Sequence, residues 1–402
     1  MSLLHAVCVS SLRAAYAKKG GYVRAGSRMF RDLWARDFGF ALPGILDIGD
    51  IVPSKKSFDV LFLHQHQSGQ IPRFVSPTPS NLLRGPLTFN IFDIRQSERF
   101  PLTPSYTTYA GTVDVDSSAI TIISYDYFLE KTQAHPTFYH NMVCAADWLA
   151  KQGVDMTGSI RMQAFSGWED SINKTKRKLS FFEEMLGHAG RMHPDDFGSD
   201  IYQNMLAKEA FRVVACRAKD AHTQKKNAQR EKTLEQSIQS TFWNEDGYFN
   251  DFVGEGGNNL NAAGNLLAIL YNVATPKQTK SILEKIEEFE MNKPFGLKTR
   301  NKKVPLWRIG RNARFVGISD YQDTTHWLWL GALYAQVLAM NRRKSDARYE
   351  LEKIENLIEK QGQIHEVYQS TGKPLKSWFF KSEEDFAWSS GMLLHAMKCA
   401  EY

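Results

Sequence analysis

Two short stretches of this 402-residue chain place a carboxylate beside an aromatic ring in polar surroundings. One is Ser166-Gly167-Trp168-Glu169-Asp170-Ser171, and the other is Ile364-His365-Glu366-Val367-Tyr368. If Asp170 and Glu366 face each other across one pocket, they suit glycoside cleavage. One carboxyl group protonates the departing oxygen and the other activates water from the opposite face. A separation of roughly 6.5–9.5 Å leaves room for that water and gives inversion, whereas about 5 Å gives retention. Each role is worth roughly 10²–10⁴-fold in rate. Trp168 and Tyr368 would shield such a pocket and raise the acid's pKa by desolvation. Glu169 is the fallback acid.

Other residues are candidates for holding a sugar. Arg36 beside Asp37 offers a fork of donors next to a carboxylate, which suits vicinal hydroxyls, although the pair would also serve as a buried ion pair. Asp116 either caps a helix or takes a hydroxyl. Trp34, Trp168, Trp327 and Trp388 are read as pocket aromatics, with core packing as the alternative. His326 joins the expected sugar ligands. Neither it nor His365 has further ligands at metal spacing, so no metal is expected. The basic run 298–314 contains Trp307, and with no basic excess elsewhere it is read as a solvated loop rather than a nucleic-acid contact. Gly254–Gly257 is too loose a pattern to cradle a phosphate.

The elements that position these residues are helices. Hydrophobic periodicity marks twelve, at about 3–18, 35–49 (with Pro43 as a kink), 53–67, 116–129, 136–152, 200–218, 221–243, 260–273, 276–291, 324–340, 344–361 and 385–398, with almost no strand signal. They alternate in kind. The seventh, ninth and eleventh are charged on one face, as at Lys280, Glu284, Lys285, Glu287 and Glu288. The eighth and tenth are apolar nearly all round, as at Trp327, Leu328, Trp329, Leu330 and Leu333. An amphipathic helix has a wet face and an all-apolar one is enclosed. Outer and inner helices in alternation describe an all-α, (α/α)6 toroid, a single domain over 1–402 with a long loop at about 68–111. That loop is long enough to be functional. Polar and aromatic residues gather where the inner helices begin. Asp170 precedes the third inner helix and Glu366 the sixth, which are opposite positions in a ring of six.

With these residues in view, the chain resembles (α/α)6 glycoside hydrolases of the amylo-α-1,6-glucosidase type, and the related alkaline/neutral invertases. The resemblance rests on Trp34-Ala35-Arg36-Asp37-Phe38-Gly39-Phe40-Ala41-Leu42-Pro43-Gly44, on Gly69-Gln70-Ile71-Pro72-Arg73-Phe74 and on Thr112-Val113-Asp114-Val115-Asp116-Ser117. The stretch from Asn261 to Gln278 is more similar to an invertase. The resemblance implies an inverting glucoside hydrolase with Asp170 as acid and Glu366 as base. It implies that Arg36, Asp37, Asp116 and Trp327 hold the terminal sugar. Two departures put the exact substrate in question: Asp200-Ile201-Tyr202-Gln203 stands where the family has a Pro-Glu-Ile-rich helix start, and the β-sandwich that precedes the barrel in many relatives is absent. Sucrose hydrolysis is the nearest rival. A sugar epimerase using His326 and His365, and a relative that binds sugar without cleaving it, are the alternatives from other classes.

Composition bounds the rest. An apolar content of 43% is ordinary for a globular core, 12% aromatic is rich, and a net charge of +6 is modest for this length. No run reaches membrane-spanning length. Cys8, Cys144, Cys216 and Cys399 are dispersed, which suits small buried residues in a reducing compartment, with the cytosol as the default. The first 31 residues contain no Asp or Glu; this is read as a first helix, with organellar import as the alternative. The expected partner is a small carbohydrate, with no cofactor, nucleic acid or membrane.

Overall fold

In the computed structural model, residues 2–77 and 102–402 are described. The middle of the expected long loop, 78–101, lies outside the described residues.

The twelve expected helices are present. In chain order they are α1 (Leu3–Ala14), α2 (Ala35–Asp47), α3 (Ile51–Leu63), α4 (Asp116–Thr132), α5 (Tyr139–Leu149) and α6 (Ile201–Arg217). Then come α7 (Ala221–Phe242), α8 (Ala262–Leu270), α9 (Pro276–Glu288), α10 (Leu328–Met340), α11 (Lys344–Gln361) and α12 (Ala387–Ala400). The even helices form a closed ring: α2 packs on α4, α4 on α6, α6 on α8, α8 on α10, α10 on α12, and α12 on α2. The odd helices lie outside, each against its even neighbours. The fold is an (α/α)6 toroid.

Side-chain chemistry explains the sorting. In α10 almost every residue from Leu328 to Ala339 is buried, and in α8 every residue from Ala262 to Ile269. Each buried large apolar side chain of this kind contributes roughly 1.5–3 kcal/mol. By contrast α7 buries only Asn227, Arg230, Leu234, Ile238 and Phe242, a single stripe at helical spacing. The first and last inner helices close the ring at glycines. A side chain on Gly44 would meet the carbonyl oxygen of Gly391 at 1.9 Å, and one on Gly391 the carbonyl oxygen of Ala41 at 2.4 Å.

Some expectations need correction. Helix α4 begins at Asp116 itself and has no side-chain cap, so Asp116 is not a capping residue. Among the described residues there are also six strands of two or three residues, segments too short to carry a period in the sequence. They are β1 (Leu33–Trp34), β2 (Phe74–Ser76) and β3 (Thr103–Ser105) in one antiparallel sheet, and β4 (Leu297–Lys298), β5 (His326–Trp327) and β6 (Val367–Tyr368) in another. β1 runs directly into α2 and β5 into α10, so both sheets lie at the end where the inner helices start.

Candidate active site

The N-termini of α2 and α4 each bring an aspartate to that end. Asp37 and Asp116 lie in the first turns, where the helix dipole favours negative charge. Arg36 joins them, with Nη1 3.3 Å from Asp116 Oδ2 and Nε 3.6 Å from Asp37 Oδ2. Tyr202, from the first turn of α6, also donates to Asp116 at 3.3 Å. Burial pushes the Asp37 carboxyl up to about 6. Burial, and then the neighbouring Asp114, raise Asp116 as well. The buried oxygens Asp37 Oδ2 and Asp116 Oδ1 accept no hydrogen bond among the described residues. Arg36 and Asp37 are therefore an ion pair within a larger polar cluster that still has acceptors to offer.

Asp170 and Glu366 stand on either side of one dipeptide. Tyr321 donates its hydroxyl to Glu366 Oε1 in a short hydrogen bond. Gln322, the next residue, donates to Asp170 Oδ1 at 3.2 Å and to the carbonyl of Trp168, and it accepts from the Ser171 N–H at 2.7 Å. Arg73 forms an ion pair with Asp170 Oδ2. The two carboxyl groups differ in setting. The Asp170 side chain is 24% exposed, whereas Glu366 is 3% exposed. Burial pushes Glu366 up to about 8, against the lowering effect of the Tyr321 hydrogen bond. Glu366 Oε2 is a further buried acceptor without a partner among the described residues. Buried polar atoms without partners are uncommon and call for an explanation.

Beneath this cluster lies an aromatic floor. Trp168 meets Trp327 edge-on at 5.4 Å and Trp329 at 5.1 Å, and Trp329 stacks on Trp388 at 4.3 Å. The Arg36 guanidinium sits 5.6 Å from the Trp388 ring. Trp168, Trp327 and Trp388 are almost wholly buried, so they support the polar cluster from below. Trp34 is half-buried and stacks with Arg73 at 4.9 Å.

Four expected candidates lie elsewhere. His326 and Tyr368 are cross-strand partners in the β4–β5–β6 sheet, on the face opposite Trp327. Successive residues of a strand point to opposite faces, so Trp327 meets Tyr321 at 5.2 Å while His326 and Tyr368 both pack on Phe295. His326 Nδ1 is 2.8 Å from the Phe295 carbonyl oxygen, and burial lowers the ring's pKa to about 4. His365 packs on Tyr368 with ring centroids 5.7 Å apart, so the histidine pair required for epimerisation is not at the pocket. Glu169 turns away from Asp170 into a buried ion network. It pairs with Lys174 and Arg300; Lys174 also holds Asp200 (3.1 Å) and Asp251 (2.9 Å), and Arg300 holds Asp251 (3.2 Å). That network overturns part of the solvated-loop reading of 298–314: Arg300 and Arg308 are buried, while Lys302 and Lys303 are exposed.

Arg73, Tyr321 and Gln322 were not on the candidate list. Arg73 lies in the Gly69–Phe74 motif, and Tyr321 and Gln322 in a polar-aromatic run just ahead of the fifth inner helix. Those positions were the available signal. Among the described residues no group of His, Cys, Asp and Glu side chains has the geometry to hold a metal. A cavity of about 430 Å³ lies on the outer side of the Asp170 loop. The larger depression, about 630 Å³, is a groove along α7 far from the chemistry, lined by residues such as Glu231, Lys232 and Glu235.

The sequence profile described as amylo-alpha-1,6-glucosidase matches residues 189–395, just over half of the chain. The chain belongs to the amylo-α-1,6-glucosidase family. It is therefore a member of a glycoside hydrolase family, and the matched segment includes Tyr321, Gln322 and Glu366. No curated protein matches by sequence. Among solved structures, the GH63 mannosylglycerate hydrolase of Thermus thermophilus, in complex with glucose, is similar over 98% of this chain and 99% of its own. Its TM-score is 0.67 at 14% identity. A wild-type glycosidase aligns over 99% of this chain and 97% of its own, with TM-score 0.61 and 14% identity. At that identity these likenesses establish a shared fold for this amylo-α-1,6-glucosidase family member.

Proposed function

We propose that the protein is an inverting hydrolase of a glucoside, either an α-glucosidic oligosaccharide or a related small glycoside, with Asp170 as general acid and Glu366 as general base. The observation that carries this reading is the pair of carboxyl groups, one open and one buried, bridged by Tyr321 and Gln322. The departing group of a terminal sugar lies toward solvent, which favours the more exposed Asp170 as its proton donor. Glu366 then takes a proton from water, the water oxygen bonds to the anomeric carbon, and the bond to the departing oxygen breaks as Asp170 protonates it. The free buried oxygens of Asp37 and Asp116, with Arg36, are the proposed partners for hydroxyls of the terminal sugar. Sucrose remains a candidate substrate.

One observation favours the reverse assignment. Burial holds the Glu366 carboxyl up at about 8, which suits an acid, while both oxygens of Asp170 act as acceptors. Leaving-group chemistry separates the two. An activated glucoside such as glucosyl fluoride needs little help from an acid, so Asp170→Asn should retain turnover on it while losing roughly 10²–10⁴-fold on natural linkages. Glu366→Gln should lose both. The opposite pattern reverses the roles, and full activity in both variants would sink the pair altogether. Proton NMR of the first-formed sugar should show the inverted anomer.

A further inference from the structure

Beside the active site stands a surface that the reaction scheme above leaves unused. Pro374 to Glu383 forms a hairpin, with bridges between Tyr368 and Pro374 and between Lys376 and Lys381, and its tip is Ser377-Trp378-Phe379-Phe380. Ser377 organises the tip by accepting from the N–H groups of Phe379 and Phe380 (3.3 and 3.1 Å) while its hydroxyl donates to the Val316 carbonyl. The three aromatics then divide. Phe380 turns inward against Tyr321, with ring centroids 5.3 Å apart, and Tyr321 holds Glu366. Phe379 turns outward and lies parallel to Phe315 (6.0 Å, 9°), and Trp378 is 98% exposed. Phe315 itself is 78% exposed.

This platform adjoins the cavity behind the Asp170 loop. Phe315 ends the short helix Arg311–Phe315, and Arg311 and Arg314 of that helix line the cavity together with Trp307 and Phe165. Arg311 is occupied by Glu184 (3.2 Å), but the buried Nε of Arg314 has no hydrogen-bond partner among the described residues. Tyr109 packs on Phe165, a lining residue of the cavity, with ring centroids 5.8 Å apart. Exposed apolar surface of this extent beside a site marks a binding face. Flat exposed rings match the apolar C–H face of a sugar, and the Arg314 guanidinium beside them suits its hydroxyls.

We propose that Trp378, Phe379 and Phe315 form a stacking platform for a neutral sugar chain, namely the leaving-group portion of a substrate several units long. The proposal rests on the hydrolase reading for its direction and can be tested without it. Because Trp378 is solvent-exposed, a pentasaccharide stacked on it should shift the tryptophan emission to the blue. The probes are maltose and isomaltose against their pentasaccharides, titrated into the full chain, its Trp378→Ala variant and its Asp170→Asn variant. For at least one series, the wild type and Asp170→Asn should show the shift with the pentasaccharide and not with the disaccharide. Trp378→Ala should lack the shift, bind that pentasaccharide about tenfold more weakly and treat the disaccharide as wild type does. Equal affinity of wild type and Trp378→Ala for both pentasaccharides would overturn the platform, even if disaccharides are cleaved. A Trp378-dependent shift with no cleavage of any glucoside would leave the platform standing and overturn the hydrolase reading instead. If sedimentation shows a wild-type dimer that Trp378→Ala converts to monomer, the face belongs to a second copy and the sugar proposal falls.

Discussion

Burial sets the protonation of the central carboxyl groups. Glu366 is pushed up to about 8, Glu383 to about 7 and Asp37 to about 6, each mainly because charge is costly away from water. In the unfolded chain such groups lose their protons near pH 4. Between those values the folded state binds more protons than the unfolded one, so stability falls as pH rises. The contribution is full below about pH 4 and is lost as pH passes about 8. Glu366→Gln replaces the titrating group with a neutral one of the same shape. It should therefore come nearest to wild type in urea unfolding at pH 4, with a gap in its favour that opens as pH rises and reaches on the order of 5 kcal/mol at pH 9. An identical gap at both pH values would contradict the raised pKa. The same group sets a kinetic limb. The kcat/KM of wild type should rise through about pH 8 if Glu366 is the base, and fall there if it is the acid.

Among the elements, the Asp170 loop depends on its neighbours. It lies between α5 and α6, about thirty residues ahead of α6, and no regular element holds Asp170 in place. The ion network does so from the adjacent residue: Glu169 is tied through Lys174 and Arg300 to Asp200 at the start of α6 and to Asp251 ahead of α8. Asn261, the cap of α8, adds a hydrogen bond to Glu169 at 3.1 Å. Removing one partner from a buried ion group strands the others at a cost of about 3–5 kcal/mol. Lys174→Met should lower stability by that amount and also lower kcat, since Asp170 loses its support. Thermal unfolding and steady-state kinetics check both, and a stable variant with normal kcat would show that the network does not position the acid. The strands illustrate what periodicity misses. β5 is two residues long, yet it decides that Trp327 faces the pocket and His326 the outer layer.

For the whole molecule, the decisive contact joins the chain's beginning to its end. The ring is complete only when α12 packs between α10 and α2, and its backbone approaches α2 at Gly44 and Gly391. Gly391→Ala would put a methyl group 2.4 Å from the Ala41 carbonyl oxygen, and overpacking of that kind costs about 1–3 kcal/mol. The unfolding midpoint should drop accordingly, whereas the exposed Gly362→Ala, with nothing within 4 Å and a left-handed φ of 75°, should lose less. A larger loss at Gly362 would mean that ring closure tolerates slack.

Helix number, the alternation of wet and enclosed helices, and the gathering of polar residues at one set of helix starts were all legible in the sequence, because each follows from local periodicity and composition. From these came the toroid, and with it the expectation that the Asp170 and Glu366 loops lie opposite each other. Which neighbour faces the pocket was not legible. Glu169 and Asp170 are adjacent and chemically alike, and only the cations that α6, α8 and the 298–314 loop bring together draw one away. His326 and Tyr368 share their short strands with Trp327 and Val367, but a single step along a strand reverses the face. Arg73, Tyr321 and Gln322 reach the carboxyl groups from loops without any pattern, and only the closed ring brings those loops to one place.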